Sequence, residues 1–369
     1  MLYFSALKPM TGDRVSTILP AEIVLHSSWW FHREGITFDE DFYFHPLKRV
    51  ESEIQMERAL YERWGKFGLG QDHRQERPEV GPVHLAAGYI ISAMLGCDLE
   101  FPPDAPPVVH CANKKNCEID RGAAFNSPIY KRFTRLLESL KGKYDSLSGD
   151  VNWSGVLNVA LDLRGQALFL DMFDRPKSVA GYFRSIADVI NRFTGTVFDQ
   201  TGSTSISVNR TVRFIEKPVF LHSECSNTMI SAADYERFIL PIDAAWSQSH
   251  RLFGVHHCGK DPHRFAASYA KIPHLDFLDI GWGGDIAVLR SHLSDTFFNI
   301  RLSPVEIGRK TNDETRVMIR DLVRQSGDPV RTGVCCINIG HEVSDDKITT
   351  ILETVSELRA EYSRHSQSP

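Results

Sequence analysis

His256 and Cys258 stand two residues apart where a short apolar run, Leu252-Phe253-Gly254-Val255, gives way to His-His-Cys-Gly. The run has the length and composition of a buried strand, and residues two apart at a strand end project from the same side of the chain. An imidazole nitrogen beside a thiolate sulfur suits a borderline-soft ion, of which zinc is the usual one. Two donors hold no ion by themselves. The plainer alternative is a packed cysteine next to a surface histidine.

The elements that must position this pair become regular after Asp150. A strand ends at Val151-Asn152-Trp153, and a helix is expected from Asp174-Arg175-Pro176, with Asp capping and Pro early. Further strands are expected at Pro218–Glu224, Leu252–His257, Phe277–Gly281, Phe298–Leu302 and Val334–Ile339. Each is followed by a helical pattern, and Ser231-Ala232-Ala233-Asp234 reads as a capping box for one of them. Short apolar strands alternating with helices imply a parallel sheet. No G-x-G-x-x-G follows any strand, so a dinucleotide fold lacks its signature. The expected architecture is α/β, a single-domain (β/α)8 barrel over residues 81–369, with a helical N-terminal extension over 1–80 packed against it. Within that extension Leu47–Phe67 has helical spacing, and just beyond it Val83–Leu95 reads as a buried helix.

In such a barrel, chemistry gathers where the parallel strands end. The residues at those ends are Asn152 and Trp153; His222, Glu224 and Cys225; His256 and Cys258; Asp279, Gly281 and Trp282; Arg301; and Asn338 and His341. Two metal-type donors, a carboxylate and several other polar side chains therefore converge on one mouth. His341 lies just past the last strand, about three βα units from His256, and is the expected third ligand. Cys335 and Cys336 compete for that place, although adjacent residues cannot both face the interior. Glu224 ends an apolar strand, where a carboxylate needs a partner or a metal. It could be a fourth ligand, a proton carrier, or the partner of Arg213 or Lys217. Trp29, Trp30, Trp153 and Trp282 could line an aromatic pocket or simply fill the core.

Composition narrows the setting. Hydrophobic residues make up 42% of the 369 and charged residues 24%, the balance of an ordinary globular protein. A net charge of −5 gives no reason to expect nucleic acid or an anionic membrane as partner. No apolar run approaches a membrane span, and the N-terminus lacks the order of a secretory signal. Seven cysteines without disulfide-like spacing suggest reduced thiols and a cytoplasmic location.

His256-His257-Cys258-Gly259 resembles the H-x-C-G motif of zinc-dependent methyltransferases that act on methylated corrinoids, within the uroporphyrinogen decarboxylase superfamily. Cys336-Ile337-Asn338-Ile339-Gly340-His341-Glu342-Val343 is similar to the decarboxylases' I-x-N-L-G-H-G-V motif. Ser223-Glu224-Cys225-Ser226, with Phe238-Ile239-Leu240-Pro241, resembles the superfamily's segment before the H-x-C strand. The likeness spans about residues 150–360.

That resemblance implies a (β/α)8 barrel and methyl transfer between a small thiol or methyl ether and the cobalt of a corrinoid. The zinc would be held by His256, Cys258 and His341, with Glu224, His256 and Cys258 catalytic and Trp29, Asn152, Trp153, Trp282 and Asn338 around the substrate. Two departures stand out. The decarboxylases' arginine-rich N-terminal motif is replaced by Trp29-Trp30-Phe31-His32-Arg33-Glu34-Gly35, and thiol-methylating members place a cysteine where His341 stands. Decarboxylation of an acidic substrate is the alternative reaction. The chain contains no D-x-H-x-x-G, so methylcobalamin is expected on a partner corrinoid protein. A second copy of the chain is a further candidate partner.

Overall fold

The computed structural model describes residues 18–72, 88–145, 147, 153–202, 218–250 and 252–365. Its strands are β1 (Ala21–Leu25), β2 (Asp98–Glu100), β3 (Val108–His110), β4 (Phe220–Ser223), β5 (Phe253–His256), β6 (Phe277–Ile280), β7 (Phe297–Leu302) and β8 (Thr332–Ile339). β2 and β3 form a small antiparallel hairpin. The other six make one parallel sheet in the order β1-β8-β7-β6-β5-β4. β4 to β7 are buried at every position, as strands covered on both faces must be. With helices between successive strands, this is the curled half-barrel of a TIM-barrel-like fold.

The backbone continues the curl past β4. Gly155 N–H donates to Ser223 O at 2.7 Å, and a Cβ on Gly88 would lie 2.3 Å from the Trp153 carbonyl carbon. Residues 153–155 thus lie beside the end of β4, with Gly88 beyond them. The expected strand at Val151–Trp153 falls largely outside the described residues, and Trp153 itself is irregular.

β1 corrects the expected division at residue 80. It lies inside the stretch read as an extension, yet it pairs with β8 from Ala21↔Val334 to Leu25↔Ile339. Helix 27–34 follows it, and helix 46–64 packs through Trp64 against Trp29, with ring centroids 6.2 Å apart.

Two helices, 156–164 and 167–174, also occupy a stretch for which no element is expected from the residue pattern. Asp174 closes the second of them. The long helix 176–201 is preceded by Arg175, which makes no side-chain cap, so the expected Asp174 cap does not form. Ser231 does cap its helix, accepting from Asp234 N–H at 3.0 Å. That helix widens to a π-type turn over Tyr235–Ile239 just before Pro241, which has no N–H to continue regular pairing.

Candidate metal centre at the barrel mouth

β4 and β5 pair with a constant offset, from Phe220 against Phe253 to Ser223 against His256. Glu224 N–H then donates to His256 O at 3.1 Å, so the alignment runs on past the strand ends. The same offset sets Cys225 opposite Cys258. A ring nitrogen of His256 and the sulfurs of Cys225 and Cys258 all lie within 4.8 Å of one another. His256 is buried, Cys258 partly so and Cys225 exposed, so the group opens to solvent on the Cys225 side.

The register also decides how His256 is held. Asp279 on β6 pairs with His256 on β5, and its carboxylate meets the Nδ1 edge of the ring. A carboxylate only accepts, so Nδ1 carries the proton and Nε2 keeps its lone pair for the cluster. The second Asp279 oxygen accepts from Asn299 Nδ2 at 3.1 Å. Arg301, two residues further along β7, brings Nη1 to 3.4 Å from His256 Nε2. Its guanidinium lies over the Trp282 ring, 5.8 Å from the centroid.

These neighbours set the charge states. Burial alone would lower the His256 pKa, but Asp279 overturns that and raises it. Cys258 is driven toward thiolate by the Cys225 S–H donated to it, with further help from His256 and Arg301 against burial. Cys225, as the donor in that pair, is pushed up. A cysteine beside an imidazole and a guanidinium is in the right surroundings to supply a thiolate ligand. Two sulfurs and one imidazole nitrogen make a three-donor set that zinc accepts while keeping a fourth position open, so this group could hold zinc.

Behind the cluster lies a buried polar network. Glu224 Oε1 accepts from Leu157 N–H at 2.8 Å and lies 3.0 Å from His222 Nε2, while Oε2 has no partner. The other ring nitrogen of His222 lies 2.6 Å from Asp243, which also accepts from the Tyr235 hydroxyl. Burial opposes charge on His222, yet Asp243 and Glu224 together push its pKa up to about 9. Beside it, burial and the neighbouring His256 bring His257 down to about 4, so that ring is neutral and bonds the Tyr269 hydroxyl at 2.6 Å.

The expected site residues divide. His256 and Cys258 come together, with Glu224 next to Cys225 in the chain and Trp282 against Arg301. His341 does not join them. The chain turns after β8 and carries its ring over helix 27–34, where it packs 4.2 Å from His32 and is exposed. The third member of the group is Cys225, present among the strand-end residues but not chosen. Cys335 and Cys336 do not join the group either, and burial raises both thiols, Cys336 to about 12. Cys335 sits on Asn299 at 3.2 Å, and Cys336 points at Leu302 O.

Trp29 is fully buried between Trp30, Trp64 and Arg63, and is core rather than pocket wall. Trp153 is likewise buried, stacked on His222 at 5.8 Å. Asn338 is exposed at a bulge in the β1–β8 pairing with φ of 64°, a conformation Asn tolerates better than most residues. Asn152 lies outside the described residues.

No protein-family model matches the chain, and no curated protein does. Among solved structures, a methyltransferase from Methanosarcina mazei superposes with a TM-score of 0.67 at 11% identity, covering 96% of this chain and 97% of that one. A B12-independent methionine synthase from a Shewanella species, in complex with selenomethionine, gives 0.52 at 9% identity, covering 95% and 100%. At such identities the likeness establishes the fold alone.

Proposed function

We propose that this chain is a zinc-dependent methyltransferase, moving a methyl group between a small thiol or methyl ether and the cobalt of a corrinoid carried by a separate protein. The observation that carries the reading is the open-sided Cys225–His256–Cys258 group at the barrel mouth, with Asp279 fixing the ring. A zinc ion held there would supply Lewis acidity, favouring the anionic form of a substrate sulfur or oxygen. Two thiolates match the ion's charge, and Asp279 and Arg301 offset each other beside it.

On this reading we assign the remaining roles. Glu224 is anchored through Oε1, leaving Oε2 to give or take the proton as the substrate heteroatom changes charge. Trp282, held by Arg301, and Asn338 shape the approach to the open side. The corrinoid protein would dock over that side, since the sequence has no corrinoid motif of its own. Among the described residues no helix is long and apolar enough to cross a membrane, and the free thiols suit a reducing, cytoplasmic setting.

The test is to incubate the zinc-loaded protein with methylcobalamin and a panel of thiols, and with reduced cobalamin and a panel of methyl ethers. Spectral conversion between the two cobalamin forms, lost in His256→Ala, is the expected result. Release of carbon dioxide from an acidic substrate without zinc would instead favour the decarboxylase alternative.

A further inference from the structure

In the β2–β3 hairpin the ladder pairs Asp98 with His110, Leu99 with Val109 and Glu100 with Val108. One step toward the open end of the hairpin, the same register sets Cys97 opposite Cys111. Alternation along the strands settles which way they face. Asp98, Glu100, Val108 and His110 are exposed, whereas Leu99 and Val109 pack on the core, and the two cysteines share the parity of the latter pair.

Both sulfurs reach successive carbonyls of helix 156–164. Cys97 Sγ lies 3.4 Å from Asp162 O, and Cys111 Sγ lies 3.7 Å from Leu161 O. Directly opposed residues of an antiparallel pair have Cα atoms about 4.5–5.5 Å apart. A disulfide spans about 4.4–6.8 Å. Cys97 is buried and Cys111 exposed, so one thiol of the pair can meet a reagent from solvent.

We propose that Cys97 and Cys111 are a thiol modification site, closing a reversible cross-strand disulfide when peroxide oxidises Cys111. In the first step the Cys111 thiolate attacks hydrogen peroxide: an S–O bond forms, the O–O bond breaks, and hydroxide leaves. In the second, the Cys97 sulfur attacks the Cys111 sulfenic acid, the S–O bond breaks, and the hydroxyl departs with the Cys97 proton as water. The pair of thiols loses two electrons and one peroxide is reduced to water. Burial raises the Cys97 pKa to about 12, which makes it the resolving thiol rather than the one first attacked. Cys117 is the rival resolving thiol, but its sulfur lies 3.3 Å from Asp171 and is buried there.

The experiment uses the full zinc-loaded chain, treated with hydrogen peroxide, alkylated and cleaved at glutamates. Glu100 lies between the two cysteines, so only a disulfide can hold their peptides together. A linked Cys97–Cys111 species, lighter by two hydrogens than its parts and separated by dithiothreitol, is expected in the natural chain and in Cys117→Ala. Cys97→Ser should leave Cys111 oxidised to sulfinic acid. Over-oxidised Cys111 with alkylated Cys97 in the natural chain, or a Cys111–Cys117 link, would overturn the proposal.

Discussion

Asp279 accepts a hydrogen bond from Nδ1–H of His256, and this one contact decides which ring nitrogen faces Cys225 and Cys258. The contact is built by register, since β5 and β6 set the two residues side by side. A metal-ligating histidine whose other nitrogen is held by a carboxylate is fixed in tautomer and made more basic.

Asp279→Asn should therefore weaken the metal site without emptying the core. The amide can donate to Nδ1 and so favour the tautomer that protonates Nε2. Zinc affinity is expected to fall about 10–100-fold. Competition with a chromophoric chelator measures it, and unchanged affinity would remove Asp279 from the account.

Gly155 is needed for the close approach that seats Glu224. A Cβ there would lie 2.3 Å from Ser223 O and 2.6 Å from the Glu224 carboxyl carbon, so Gly155→Ala must push the end of β4 away. A loss of about 1–3 kcal/mol of stability is expected, together with a fall in activity. Gly195→Ala is the control: it meets nothing within 4 Å and lies inside helix 176–201, where alanine gains up to about 1 kcal/mol. Denaturant titration of both variants tests the contrast, which would disappear if Gly155→Ala behaved like Gly195→Ala.

His222 predicts a pH dependence of folding. Its folded pKa of about 9 exceeds its ordinary value of 6.5. The stabilisation is fully present below the unfolded pKa and is lost as pH rises through about 9. The shift corresponds to at most about 3 kcal/mol. Unfolding free energy measured between pH 6 and pH 10 should decline across that window, and His222→Gln should flatten the decline. An equal slope in both proteins would place the titrating group elsewhere.

The sequence made β4 to β8 legible because each is a short apolar run between helical patterns, and it made His256 and Cys258 legible because two-residue spacing at a strand end survives folding unchanged. Cys225 required more. Its place opposite Cys258 depends on the β4–β5 register, which no local pattern encodes; the available signal was that each cysteine stands two residues past a paired strand end. His341 misled for the reverse reason, since position beyond β8 says nothing of where the next turn carries the ring. β1 was obscured by a charge, Glu22, inside a five-residue strand that is buried throughout. Helices 156–164 and 167–174 were missed in part because Leu170 and Phe173 are exposed, 69% and 85%, which blurs the apolar periodicity of the second.

The central claim is tested most directly by zinc content after exhaustive dialysis, measured by elemental analysis on the natural chain and on single variants. One zinc per chain is expected in the natural protein, in His341→Ala and in Cys336→Ser, with loss in Cys225→Ser, His256→Ala and Cys258→Ser. Zinc retained in Cys225→Ser but lost in His341→Ala, or no zinc in the natural chain after growth and purification with zinc supplied, would contradict it.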